Sequence, residues 1–221
     1  MLRLSLSAAL AVSLALLVLA GPVLAFSSPL SDESVREAYF LGQRRDESVA
    51  RFLDQYKHHL RPPDTGPYIS SVELLTPFAR LILLSSQRIN YSAQQAEKEH
   101  RGDQEMVAIT VEIQLTQSYP AIIAQPTGTR SGSPIGYTLR PSEFWKDFDV
   151  QVLADEKSLE PTLFTGEPNY RCGDDGGCVL TGATLHLELP AKLFASDSAT
   201  VQVTPPEGPE VFVDFDLAAL R

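Results

Sequence analysis

The chain has 221 residues, 43% of them hydrophobic and 21% charged, with 18 Lys and Arg set against 28 Asp and Glu for a formal net charge of −10. That balance excludes a disordered acidic tail, which lacks the apolar content to build a core, and a general nucleic-acid binder, which needs clustered Lys and Arg for phosphates. The length suits one large domain or two small ones.

Residues 1–25 read as an export signal. Met1-Leu2-Arg3 supplies a short basic start, Leu4 to Leu19 holds only Leu, Ala, Val and Ser, and Val23 and Ala25 fit the small-residue rule for cleavage before Phe26. About 20 apolar residues would also suit an uncleaved membrane anchor, but Pro22 and the small residues beside it favour cleavage. Loss of Arg3 moves the net charge to −11. No later stretch reads as a membrane span, so the expectation is a soluble mature chain, exported to a bacterial periplasm or outside the cell. The rest divides into a mainly helical region, 26–103, and a β-rich region, 104–221.

In chain order, Ser31 caps a first helix whose opening turn carries Asp32 and Glu33, where negative charge suits the helix dipole. Asp32-Glu33-Ser34-Val35 recurs as Asp46-Glu47-Ser48-Val49, and two helices broken at Gly42, with Asp46 as the second cap, are expected. In the second, Val49, Phe52, Leu53, Tyr56 and Leu60 form one apolar stripe, ended by Pro62-Pro63. Tyr68 to Leu75 reads as a short strand. Thr76-Pro77 then caps a helix with Phe78, Leu81, Ile82 and Ile89 on one face and Ser85 in a gap, though the run also reads as a buried strand. Ser92 to Arg101 is a polar surface helix stopped at Gly102.

From Met106 to Gln117 apolar and polar residues alternate, the pattern of a half-buried antiparallel strand. The same period recurs around Phe148, Val150 and Val152, around Leu185, Leu187 and Leu189, and on both sides of the turn Thr204 to Pro209. With Leu163-Phe164 as a weaker element, about six short strands are expected. The predicted fold class is α+β, an N-terminal helical segment on or beside an antiparallel β-sandwich that is immunoglobulin-like only in the loose architectural sense. Gln125 to Pro141, rich in Pro, Gly, Ser and Thr, reads as a long surface loop and the first place to look for a binding segment.

Cys172 and Cys178 flank Gly-Asp-Asp-Gly-Gly, and in an exported chain such a pair reads as a disulfide pinning a turn rather than a redox dithiol. Asp174 and Asp175 inside that loop offer too few oxygens for calcium, and the turn reading prevails. The histidines could enter two-residue pairings, Asp54 with His58, Glu97 with His100 and His186 with Glu188, each short of the three ligands a catalytic zinc needs. Neither metal nor cofactor is expected. No G-x-S-x-G elbow, phosphate-binding loop or dinucleotide fingerprint is present. Asn90-Tyr91-Ser92 matches a glycosylation acceptor, which matters only in a eukaryotic source. Trp145, between Phe144 and Phe148, is either core or a binding platform beside the long loop.

These features favour an exported, non-catalytic interaction or assembly module with a protein partner and no nucleic acid. The alternative is an exported hydrolase or carbohydrate-active enzyme assembled from distant loops. Its mark would be a pocket gathering three or more of the His and acidic residues, with a perturbed carboxylate or a metal.

Overall fold

The computed structural model describes residues 26–126, 135–174 and 176–221. The export segment, the middle of the expected Gln125 to Pro141 loop, and Asp175 lie outside the described residues.

Among the described residues, four helices form where side-chain caps close their first turns. α1 (Asp32–Gln43) opens on Ser31, whose Oγ accepts from Ser34 N at 3.1 Å. α2 (Glu47–Asp54) opens on Asp46, whose carboxylate accepts from Ser48 N at 2.9 Å. α3 (Pro77–Gln87) follows Thr76, with proline where the helix has no amide bond to lose, and α4 (Ala93–Gly102) follows Ser92.

Three helical expectations need correction. Gly42 does not break the first helix but lies inside it: a Cβ there would run into the Ile82 carbonyl and come within 2.8 Å of Ser85 Cβ, so the glycine lets α1 lie directly on α3. The stripe that continued to Leu60 stops at Asp54, because the next residues find sheet partners. Pro62-Pro63 therefore ends no helix, and His58 stands on a strand rather than one turn from Asp54. Ile89, beyond the end of α3, is exposed. Ser85, in the gap of the α3 stripe, is fully buried and donates to Leu81 O at 2.7 Å, which satisfies its hydroxyl.

The strands are β1 (Lys57–His59), β2 (Tyr68–Leu75), β3 (Met106–Gln114), β4 (Ile122–Pro126), β5 (Ile135–Leu139), β6 (Asp149–Ala154), β7 (Lys157–Leu159), β8 (Leu163–Cys172), β9 (Cys178–Pro190), β10 (Ser198–Thr204) and β11 (Val211–Asp216). They pair antiparallel throughout, in a five-stranded sheet of order β1-β2-β3-β9-β8, a four-stranded sheet of order β11-β10-β6-β7, and a separate β4-β5 hairpin. The stretch expected as loop from Gln125 to Pro141 is therefore largely paired at both ends: Ile122 lies opposite Leu139 and Pro126 opposite Ile135.

Alternation decides which face is buried. Val107, Ile109, Val111 and Ile113 of β3 face Leu189, Leu187, Leu185 and Ala183 of β9, and all eight are buried. They share one core with Ala199, Val201 and Val203 of β10 and Val213 and Phe215 of β11, so the two sheets pack face to face. Each such Val, Leu, Ile or Phe contributes about 1.5–3 kcal/mol by leaving water. Likeness to an immunoglobulin sandwich ends there, since a helical cluster around Val35, Ala38, Phe78 and Ile82 forms a second core beside the first.

The other face of the larger sheet is polar and carries Lys57, Glu73, Thr110 and His186 in one cross-strand row. Lys57 holds Glu112 at 2.9 Å and keeps its carboxyl below the usual range, whereas burial pushes the Glu73 carboxyl up. Among the described residues, no helix is long and apolar enough to cross a membrane.

Candidate functional site

Two concavities separate cleanly by the state of their polar groups. The first, of about 240 Å³, lies between α3, α4 and the start of β3 and is lined in part by Arg80, Arg88, Tyr91, Glu99, His100 and Glu105. Among the described residues, its charged groups are engaged with the exception of Asp103. Arg88 holds Glu99 at 2.7 Å, Tyr91 donates to the same carboxylate, and Arg80 reaches Glu188 at 2.7 Å. Bonds from Gln95, Arg88 and Tyr91 keep the Glu99 carboxyl below the usual range, while burial and that carboxylate push the Tyr91 phenol up to about 12. Glu105 accepts from His100 Nε2 at 2.8 Å and from Leu30 N and Ser28 Oγ, both at 2.5 Å, so it ties the segment Phe26 to Leu30 to α4. Apart from Asp103, the charged side chains of this cleft are thus held by protein partners.

The second is an open groove of about 770 Å³ at one end of the five-stranded sheet. One wall is the far end of the β8–β9 hairpin, with Asn169, Arg171, Leu180 and Thr181; the other is the loop after β3 and the approach to β4, including Gln117 and Pro120. Both walls are anchored. The Cys172–Cys178 disulfide closes the β8–β9 tip, where Gly173 N bonds Gly177 O at 2.8 Å and Asp174 stands exposed. The β4–β5 base is held by Arg140, whose Nε donates to Pro120 O at 2.9 Å while its guanidinium lies 3.5 Å over the Tyr119 ring. Thr116 Oγ1 donates to Gly66 O and accepts from Tyr119 N.

Among the described residues, the Gln114, Gln117 and Arg171 side chains that line this groove hold no protein partner. Among the described residues, no carboxylate lines it. The two flanking hairpins expose Ile122, Ile135, Tyr137 and Leu139 on one side and Tyr170 and Val179 on the other, apolar groups left in water. The chain matches no protein-family model and no curated protein sequence.

Trp145, expected as core or platform, stands in a short 3-10 turn (Phe144–Asp147), half-buried. Its ring lies where a Cβ of Gly166 would be and meets Phe164 edge-on at 6.0 Å between centroids. Gly166 and Phe164 lie opposite core residues Leu185 and Leu187, so Trp145 closes the side of the sandwich that the smaller sheet leaves open over β8. It does not line the groove.

The histidines are dispersed. His58 meets Phe215 edge-on at 4.8 Å, His59 is exposed, His100 holds Glu105 rather than Glu97, and His186 shares a strand face with Glu188, which is committed to Arg80. Glu97 pairs instead with Arg36 at 3.0 Å. Among the described residues, no group of three or more His, Cys, Asp or Glu is arranged to hold a metal ion.

The groove has no local signature in the sequence because its walls come from two distant segments, 113–121 and 169–182. The nearest signal was Ile135, Tyr137 and Leu139 alternating with Gly136 and Thr138, a strand pattern inside the expected loop.

Proposed function

We propose that this protein is an exported, non-catalytic binding module that takes a protein partner in the groove between the β4–β5 and β8–β9 hairpins. The observation that carries this reading is the contrast between two concavities: the helical cleft has engaged its charged groups other than Asp103, whereas the groove leaves Gln114, Gln117 and Arg171 free between hairpins bearing exposed apolar side chains. Export is supported by the residue pattern before Phe26 and by the disulfide, which persists in oxidising compartments. Mild cross-linking of the native protein in its own source, with cross-linked residues mapped by mass spectrometry, tests it. The expected product is a discrete heteromeric complex with links on the two hairpins, abolished by the double substitution Tyr137→Ser and Leu139→Ser. A monomer under conditions that preserve other complexes, or links confined to the helices, refutes it.

The hydrolase reading keeps one supporting observation, since the helical cleft gathers Glu99, His100, Asp103 and Glu105. It requires a substrate whose turnover falls with His100→Ala. The held-down Glu99 carboxyl opposes a general-acid role there, which calls for a raised one.

A further inference from the structure

The occupant of the groove can be narrowed by charge and by shape. The protein is acidic overall, and six of its thirteen arginines are spent on its own carboxylates: Arg36, Arg51, Arg80, Arg88, Arg101 and Arg221 each hold an Asp or Glu within 3.0 Å. Among the described residues, Arg171 is the one charged residue of the groove lining, and no carboxylate shares that lining. Arg140, against the Pro120 carbonyl of the same wall, also holds no acidic side chain among the described residues. Arg171 thus lines the concavity itself, while Arg140 stands behind its Pro120 wall, over the Tyr119 ring.

The remaining chemistry suits a polypeptide. Gln114, Gln117 and Asn169 present amides, each able to donate and accept, as a peptide main chain requires. Asn169 already donates to Thr184 Oγ1 at 3.0 Å, and the two glutamines are uncommitted. The exposed apolar groups on the flanking hairpins are mostly aliphatic, Ile122, Ile135, Leu139 and Val179, and so suit the side chains of a peptide better than the flat faces of sugar rings. Direct addition of a strand to the β8 edge is disfavoured by Pro168 and by the register break between Asn169 and Tyr170, devices that blunt an edge. An occupant lying in the groove avoids both.

Resting on the binding-module reading, we infer that the groove takes an extended acidic segment of a partner polypeptide, with Arg171 as its carboxylate receptor. The probe is a blocked peptide of alternating Glu and Val, compared with its Lys-Val counterpart and with an oligogalacturonate, each titrated into isotope-labelled protein from Phe26 onward and followed by amide chemical shifts. The expected result is saturable shifts in Gln114 to Gln117, Asn169 to Arg171 and Leu180 to Gly182 with the Glu peptide alone, weakened by added salt. Arg171→Glu should raise its Kd at least about tenfold, and Arg171→Gln by a smaller factor. The second variant keeps the test valid should the first disturb the hairpin. Equal response to the Glu and Lys peptides, shifts outside the groove, or no response to either overturns the inference, and shifts with the oligogalacturonate alone replace the peptide by an acidic glycan. A native complex cross-linked through the hairpins together with a silent Glu peptide would remove this inference and leave the binding-module reading standing.

Discussion

Glu105 offers the sharpest stability test. Its carboxylate is about 10% exposed and takes three donors, His100 Nε2, Leu30 N and Ser28 Oγ, from two segments distant in the chain. Glu105→Ala strands all three. Removing one partner of a buried pair costs about 3–5 kcal/mol, and because the His100 side chain is 19% exposed and can regain water, the lower end applies, about 3 kcal/mol. For a domain of this size each kcal/mol moves Tm by about 2–4 °C, so a fall of about 6–12 °C is expected in a circular-dichroism melt. Glu105→Gln keeps the acceptor shared by Leu30 N and His100 Nε2, loses the charge and turns a donor toward Ser28 Oγ, and its cost should be about 1–2 kcal/mol. Limited proteolysis should then release the segment Phe26 to Leu30 first in Glu105→Ala. A melt within about 1 °C of wild type would show that these bonds merely replace equally good bonds to water.

Three further outcomes follow from the packing. Gly166→Ala should cost about 1–3 kcal/mol by overpacking against Trp145, and emission from this sole tryptophan should move to the red as the ring is pushed outward; an unshifted spectrum would refute the placement. Replacing both Cys172 and Cys178 by Ser should cost about 2 kcal/mol through the small closed loop, with faster amide exchange confined to the β8–β9 tip; exchange spreading into β3 would contradict that. Glu73→Gln should stabilise the fold at neutral pH by no more than about 1 kcal/mol, given the Lys57 charge nearby. The sign follows from a folded carboxyl held above its ordinary value: the acid form fits the fold, so wild-type stability falls as pH rises through the raised value. The advantage of the Gln variant should vanish below the ordinary carboxylate range, and an advantage independent of pH would contradict burial as the cause.

Local chemistry was legible where it acts locally. Ser31, Asp46, Thr76 and Ser92 cap the helices they precede, and alternation marked β3, β6, β10, β11 and the core half of β9. What failed was decided at long range. Lys57 to His59 sat at the end of a helical stripe, yet Tyr56 turns inward, bonds Arg221 O and N through its hydroxyl, and hands the chain to β2. Gly42 looked like a stop because glycine is a poor helix former; contact with α3 needed its missing side chain. β8 shows no alternation because nearly all its residues are exposed, and its place is set by the ladder to β9. Neither the groove nor the helical cleft had a one-segment signature.

The position of β3 between β2 and β9 also governs how the chain must fold. Val107 pairs with Leu189, so everything from β4 to β8 has to be looped out before the most regular apolar strand acquires its second neighbour. Closing such loops costs entropy before any contact returns it, so folding is expected to be slower than in a chain built from local contacts. Until β9 arrives, β3 presents Val107, Ile109, Val111 and Ile113 along an unpaired edge, the kind of segment that seeds aggregation. Refolding yield should therefore fall steeply with protein concentration, and the growth of aggregates should track the delay before the β3–β9 ladder forms.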